Sequence, residues 1–246
     1  MVWGSFGAVH LLSLLLGAGL IVALYYLLRP LSVKTQTWVL GILSFSGIAA
    51  VIFNLVTWGS PYEYLPLHLC SLTAMVLPIA VFTRSKTLGN LLLLWSLGAV
   101  MALVVNSAQA DFRVFSPTFF FYFFPHLLEF GIPILLFRLR LVEKDAKCIA
   151  STLLITLVVY TVVHFANVLL NGYFEAARIC NPSGALVQVN YMYSLWPENP
   201  VLDLFWSFLP YRFWYMLPVI LIVLIYLCFV YRKQIFKRSK VKENAM

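Results

Sequence analysis

The sequence predicts an all-α membrane protein, a polytopic bundle of seven transmembrane helices. Hydrophobic residues make up 62% of the 246-residue chain and charged residues only 11%, and the mean hydropathy is +0.91. A soluble core of this size could not bury so much apolar surface, so most of it must face lipid. The apolar residues also fall into runs of about 20, the length at which a helix crosses a bilayer.

The seven runs are predicted to be helices because backbone groups in lipid must form their hydrogen bonds within one segment. The runs are also too long and too uniformly apolar for the strands of a barrel. Together they form one transmembrane domain, residues 1–231, with a long outer loop at 171–207 and a basic tail at 232–246. The predicted spans are residues 4–28, 36–58, 65–82, 88–105, 117–137, 147–170 and 208–231.

Basic residues predict the orientation of the bundle. They are concentrated after the first, third and fifth spans and in the tail from Arg232 to Lys242, whereas the alternate connections hold only Arg113, Arg178 and Arg212. By the positive-inside rule the C-terminus is cytoplasmic and, with seven spans, the N-terminus is outside. We expect a multi-pass protein of the plasma membrane. The net charge of +8 follows from these connections, and no nucleic acid is expected as a partner.

Polar residues within the predicted spans lie mostly in the outward halves. All four histidines fall there, His10, His68, His126 and His164. Because ionisable residues are costly in a membrane and mark pathways or sites, this clustering predicts a cavity open towards the outer leaflet. The alternative is that each histidine separately bridges two helices by a hydrogen bond. Candidate substrate-binding residues at this depth are Asn54, Asn106, His164 and Asn167.

The stretch from Leu65 to Ser71 opens the third span and carries its reactive side chains. His68 and Cys70 are two residues apart and point to different faces of a helix, so they cannot form a nucleophile–base pair. His126 lies at similar depth on the fifth span and is the predicted base for Cys70, and Glu129, at i+3, could orient its imidazole. Alternatively, Cys70 is a small hydrophobic residue and Glu129 is a neutral or paired acid that bridges helices.

A metal site is the other use of several histidines. The sequence contains no HExxH, HxxxH or CxxC spacing, and we expect no metal and no cofactor. A zinc site assembled across helices from His68, His126, His164 and Glu129 stays open as an alternative.

The outer loop at 171–207 is long for a connection, and loops of this length are usually functional or disordered. Its aromatic and polar content predicts an ordered lid or re-entrant segment over the cavity, with Asn190, Tyr191 and Asp203 as candidate substrate-binding residues. The alternative is an aromatic belt that anchors the seventh helix.

Three motifs together resemble a known family. They are Leu-Pro-Leu-His-Leu-Cys-Ser at residues 65–71, the aromatic run 119–124 followed by Pro125-His126, and Asn-Tyr-Met-Tyr at residues 190–193 with Asp203. This pattern resembles the YwaF-type bacterial integral membrane proteins, a family similar to the eukaryotic transmembrane protein 164, a cysteine-dependent acyltransferase acting on ether phospholipids. The resemblance covers the chain from the second span to the seventh.

The resemblance implies acyl transfer on a membrane phospholipid. In that reaction Cys70 is the nucleophile, His126 is the base, and His68 polarises the ester carbonyl or holds the lipid. The eukaryotic branch is expected to carry its cysteine beside the first histidine, where this sequence has Leu67. The sequence therefore predicts a lipid acyltransferase or acyl hydrolase with an outward-leaflet cavity. The alternative is a non-enzymatic transporter, receptor or lipid-binding subunit that uses the same cavity.

Overall fold

The structure is a computed structural model that describes residues 2–3, 6–105 and 112–243. The described residues form helices joined by turns and loops, with one small two-stranded antiparallel sheet and one isolated bridge, Cys180 with Leu186. The two strands, which are far apart in the sequence, are β1 (Val2–Trp3) and β2 (Phe112–Arg113). The helices are α1 (Ala8–Leu28), α2 (Val33–Ser44), α3 (Ser46–Thr57), α4 (Leu69–Thr83), α5 (Lys86–Val104), α6 (Pro117–Arg138), α7 (Ile149–Ala176), α8 (Pro200–Phe208) and α9 (Leu217–Glu243).

Six helical segments in the described residues are long and apolar enough to cross a membrane. They correspond to six of the seven predicted spans and establish an integral membrane protein of the all-α class. They are Ala8–Leu28, Val33–Thr57, Lys86–Val104, Pro117–Arg138, Ala146–Ala176 and Trp214–Ile235.

The remaining predicted span, residues 65–82, is the shorter apolar helix α4 of 15 residues. At about 1.5 Å per residue it is about 22 Å long, less than the roughly 30 Å of a hydrocarbon core. It begins at Leu69 because His68, the residue before it, has an extended backbone with φ −72° and ψ 153°. Leu65 is also outside the helical region, with ψ 143°, as residues before proline usually are. The helix ends at Thr83, and Arg84 after it has a left-handed backbone with φ 51°.

Other boundaries also differ from the prediction. The second span is split into α2 and α3 at Phe45, where the Ser44 hydroxyl donates to the Gly41 carbonyl and competes with the helical backbone pattern. The helix α7 continues to Ala176, into the predicted outer loop, and that loop contains α8. The helix α9 continues to Glu243, through most of the predicted tail, because lysine, arginine and glutamine are good helix formers.

The helices α5 and α6 form the centre of the bundle. In the most apolar 18-residue stretch of each, 56% of the residues are buried, whereas only 17%, 11% and 17% are buried in the corresponding stretches of α1, α7 and α9. Glycines let neighbouring helices approach closely, as is typical of membrane bundles. A Cβ at Gly47 of α3, for example, would lie 2.5 Å from the Cβ of Ala74 in α4. The closely packed helices α3, α4 and α6 surround the site described next.

Candidate functional site

A cavity of about 360 Å³ lies between α3, α4 and α6. On α6 its lining residues recur every three or four positions from Thr118 to Glu129, so one face of that helix forms a wall. The exposed Trp58 lies at one end and the buried Glu129 at the other. Its polar lining residues are Asn54, Cys70, Ser71, Thr118, His126 and Glu129, and its aromatic lining residues are Trp58, Tyr64, Phe112, Phe121 and Tyr122.

Cys70 and His126 line this cavity from two different helices, α4 and α6. The Nδ1 atom of His126 lies 2.6 Å from the Tyr122 carbonyl oxygen. A carbonyl only accepts hydrogen bonds, so in the neutral imidazole Nδ1 carries the hydrogen and Nε2 carries the lone pair. The Tyr122 ring also packs against the imidazole, with the ring centroids 4.5 Å apart. His126 is therefore held as the tautomer whose Nε2 can accept a proton.

Glu129 lies one helical turn from His126 at the buried end of the cavity. The ring nitrogen that a carboxylate could have oriented, Nδ1, is bonded instead to the Tyr122 carbonyl. Glu129 is 3% exposed, and its Oε2 has no hydrogen-bond partner among the described residues. A Cβ at Gly47 would lie 2.9 Å from Glu129 Oε1. Gly47, Ala74 and Glu129 therefore close this end, which we call the floor.

His68 is the residue directly before α4, and it is outside the set of cavity-lining residues. Its Nδ1 accepts a hydrogen bond from the Met192 backbone N–H at 3.4 Å, and its ring meets the Tyr191 ring edge-on at 5.2 Å. Met192 and Tyr193 both have positive φ, 54° and 55°, which is unusual for residues other than glycine. His68 thus joins α4 to the segment between α7 and α8, residues 177–199, which we call the outer segment after its predicted location.

Asn167 and Asn171 of α7 hold the outer segment by its backbone. The Asn171 amide exchanges two hydrogen bonds with Val189, both 2.8 Å. The Asn167 amide does the same with Tyr191, at 2.8 and 2.9 Å. Asn167 and Asn171 are four residues apart on a helix, a rise of about 6 Å, which is close to the rise of two residues in an extended chain. Each side chain can therefore bind one of two alternate residues of the segment. His164 adds a contact from Nδ1 to the Ser194 hydroxyl at 3.1 Å.

Asn190 closes the following turn of the outer segment. Its side chain donates to the Trp196 carbonyl at 2.7 Å and to Glu198 Oε1 at 2.9 Å, and it accepts from the Leu195 N–H at 2.9 Å. Burial raises the pKa of Glu198, although the hydrogen bond from Asn190 acts in the opposite direction. Asp203 is exposed in the first turn of α8.

The remaining predicted site residues are placed as follows. Asn54 lines the cavity and accepts a hydrogen bond from the Trp58 indole at 3.4 Å. His10 is buried and bonds through Nε2 to the Leu103 carbonyl at 2.7 Å, as a histidine that bridges two helices does. Asn106 lies outside the described residues. The structure thus brings Cys70, His126, Glu129 and Asn54 together.

The other predicted substrate-binding residues hold the outer segment instead of lining the cavity: His164, Asn167, Asn190 and Tyr191. No group of three or more His, Cys, Asp and Glu residues in the described part of the chain could hold a metal ion. His68, His126 and His164, which the zinc alternative would combine, each have different partners.

Two residues of the site went unnoticed in the sequence. Tyr122 fixes the His126 tautomer through its backbone carbonyl, and any residue at i−4 would offer that group, so the residue type gives no signal. Gly47 allows α3 to approach Ala74 and Glu129, and a glycine within a span is typical of close helix contacts.

Residues 5–231 match the family model described as the TMEM164 family. No curated protein and no solved structure matches the chain.

Proposed function

The chain belongs to the TMEM164 family, and from this premise we propose that it is a membrane lipid acyltransferase or acyl hydrolase. In this proposal Cys70 is the nucleophile and His126 is its base. The observation that carries the proposal is the shared cavity, in which a thiol from α4 and an imidazole from α6 line one space and His126 Nε2 carries the lone pair that can accept a proton.

The reaction would proceed in two halves. His126 Nε2 takes the Cys70 proton, the sulfur attacks the acyl ester carbonyl, and collapse of the tetrahedral intermediate gives a thioester on Cys70. The departing alcohol takes the proton from His126. In the second half an acceptor hydroxyl or water gives its proton to His126 and attacks the thioester, which restores the thiol and releases an ester or a fatty acid.

The position of the thiol supports Cys70 as the nucleophile of this chain. Leu67 stands where the eukaryotic branch is expected to have its cysteine. Its side chain packs against a buried cluster that includes Val163, Phe174 and Tyr191, on the side of the outer segment. Leu67 is absent from the residues that line the cavity, whereas Cys70 is among them. A thiol at residue 70 therefore has access to a ligand in the cavity.

The membrane placement is part of the same proposal. We place α4 as a seventh, short transmembrane span, which requires residues 65–68 to lie within the membrane as well. Basic residues are concentrated in every second connection between the spans, and this supports a cytoplasmic C-terminus and an outer N-terminus. The cavity would then open towards the outer leaflet of a bacterial plasma membrane, as expected for the YwaF-type branch, with a membrane phospholipid as the acyl donor.

Lipid analysis with matched cysteine variants tests the proposed function. The protein is reconstituted in phospholipid vesicles, and acyl-chain exchange and free fatty acid are measured by mass spectrometry for wild type, Cys70→Ala and Cys228→Ala. Cys228 is an exposed cysteine of α9 and serves as the control. We expect Cys70→Ala to abolish turnover and Cys228→Ala to retain it. Turnover by Cys70→Ala at the wild-type rate would remove Cys70 from the mechanism.

The non-enzymatic alternative gives a different result in the same assay. A transporter, receptor or lipid-binding subunit leaves the acyl-chain composition of the vesicles unchanged for wild type as well. Expression of wild type and Cys70→Ala in cells, followed by the same lipid analysis, then shows whether any lipid species depends on the thiol.

A further inference from the structure

The first turn of α4 presents backbone donors beside the Cys70 sulfur. The first helical hydrogen bond of α4 runs from the Leu72 N–H to the His68 carbonyl, and the His68 side chain does not cap the helix. The three N–H groups before Leu72 therefore have no acceptor within the helix. Two of them, those of Cys70 and Ser71, lie within hydrogen-bonding reach of the Cys70 sulfur, as does the Ser71 hydroxyl. The oxygen of an acyl group bound to this sulfur would lie beside the same donors.

An unpaired carboxyl group on α6 lies at the floor of the same cavity. Glu129 is 3% exposed, and its Oε2 has no hydrogen-bond partner among the described residues. The Ala74 Cβ and Glu129 Oε1 lie 2.5 and 2.9 Å from the position that a Cβ on Gly47 would take. Ala74 is one turn from Cys70 on the same face of α4. The carboxyl group is therefore about one helical turn from the thiol, near enough for the two groups to interact electrostatically.

The surroundings of Glu129 keep its carboxyl group neutral. Among the described residues no lysine or arginine lines the cavity, and residues 106–111 contain none in their sequence. A buried carboxylate without a cation or a hydrogen-bond donor beside it costs much more free energy than the protonated acid, so the group keeps its proton. A protonated carboxyl group has an O–H that donates a hydrogen bond, which a carboxylate lacks. The floor therefore offers a donor directed at a ligand in the cavity.

The proposed reaction needs donors at one particular oxygen. Attack of the Cys70 sulfur on an ester forms the S–C bond and moves an electron pair onto the carbonyl oxygen. Donors near this oxyanion lower the barrier because they bind the charged oxygen more strongly than the neutral carbonyl. A carboxylic acid in an apolar site can act in this way without giving up its proton. When the intermediate collapses, the electron pair returns and the alcohol leaves with the proton from His126, so Glu129 ends as it began.

We propose that the neutral carboxyl group of Glu129 and the N–H groups of Cys70 and Ser71 form an oxyanion site, and that Glu129 is a third catalytic residue. The inference rests on the proposed function and deepens it. The same carbonyl carbon is attacked in both half-reactions, so Glu129 acts in each. Its ligand is an acyl carbonyl oxygen, which a phospholipid donor carries whatever its head group. This role replaces the predicted one, in which Glu129 orients His126.

Two reactions of the same thiol separate an oxyanion donor from a residue that only supports the fold. Acylation by p-nitrophenyl hexanoate passes through an oxyanion, whereas alkylation by iodoacetamide displaces iodide at a saturated carbon and forms none. The full-length protein is purified in a neutral detergent with Cys70 as its single cysteine. Both adducts are followed by intact mass, and nitrophenolate release gives a second measure of acylation. The cysteines replaced by serine are Cys148, Cys180 and Cys228.

We expect Glu129→Leu to slow acylation about 100-fold, the effect of removing one oxyanion donor, and to leave alkylation within about threefold of the wild-type rate. Glu129→Gln keeps an N–H donor at the same place, so its acylation should stay within about tenfold of the wild-type rate. The matched control is Glu175→Leu, at an exposed position of α7, which should leave both rates unchanged.

Three results would overturn the inference. They are acylation of Glu129→Leu at the wild-type rate, equal losses of acylation and alkylation in that variant, and the same loss of acylation in Glu129→Gln as in Glu129→Leu. The melting temperature of each variant verifies folding, and Glu129→Met, which also lacks a donor, replaces the leucine variant if that protein does not fold. Failure of the proposed function is a different result: wild-type Cys70 reacts with iodoacetamide but forms no acyl adduct, and the oxyanion site is then rejected with it.

Discussion

Replacement of Asn167 by leucine is predicted to release the outer segment from α7. Asn167 is fully buried and makes three hydrogen bonds, two with the backbone of Tyr191 and one, at 2.9 Å, with the Ser194 hydroxyl. Leucine has a similar volume but leaves the Tyr191 N–H and carbonyl unpaired, at about 1–3 kcal/mol for each buried group. Since the Ser194 hydroxyl keeps His164 as a partner, we count two groups and expect a loss of roughly 2–6 kcal/mol.

Amide hydrogen exchange measures this loss locally. If the segment opens as a unit, roughly 2–6 kcal/mol corresponds to exchange of the Tyr191 amide that is about 30-fold to about 25,000-fold faster. Val168→Ala is the control because this neighbouring side chain is 46% exposed. Asn171 still binds Val189, so the increase should be smaller at that residue. Unchanged exchange at Tyr191 in a folded Asn167→Leu protein would refute the assignment of Asn167 as the anchor of the outer segment.

Three further predictions test the walls and the outer segment. Gly47→Ala forces a Cβ into the floor and should lower the free energy of unfolding by about 1–3 kcal/mol, whereas Gly172→Ala, which meets nothing within 4 Å, should be neutral or slightly stabilising in thermal melting. His68→Ala removes the acceptor of the Met192 N–H, so that amide should exchange faster while the rates at the buried core helices stay unchanged. Burial raises the pKa of Glu198, so the native state binds the proton of this carboxyl more tightly than the unfolded state. The free energy of unfolding should therefore rise as the pH falls from above the raised pKa towards about 4.3. In melting curves Glu198→Gln should flatten that rise.

The membrane class and six of the helical spans follow directly from apolar runs because span length is set by the bilayer. The start of α4 is different. The apolar run begins at Leu65, but Leu65 and His68 both have backbones outside the helical region and the helix begins only at Leu69, and hydropathy alone does not register a backbone angle. Continuous hydropathy likewise conceals the break at Phe45, which depends on a side-chain hydrogen bond within the helix.

Part of the candidate site could be predicted from the sequence, but the direction in which the other polar side chains face around their helices could not. Cys70, His126 and Glu129 were predicted to face one cavity, and the structure places all three in its lining. His164 and Asn167 lie on α7, which contributes no lining residue, and their partners are backbone groups of a segment far along the chain. A polar side chain within a span predicts that it needs a partner. Its identity depends on tertiary packing that sequence spacing does not encode.

Detection of an acyl-enzyme on Cys70 tests the central claim most directly. The purified protein is incubated with a phospholipid donor in the absence of an acceptor, quenched with acid, and analysed by peptide mass spectrometry for wild type and His126→Ala. The account predicts a hydroxylamine-sensitive acyl adduct on the peptide that contains Cys70, formed about 100-fold or more slowly when the base is removed. A wild-type protein that turns over lipid while Cys70 stays unmodified, or a His126→Ala variant that forms the adduct at the wild-type rate, would contradict it.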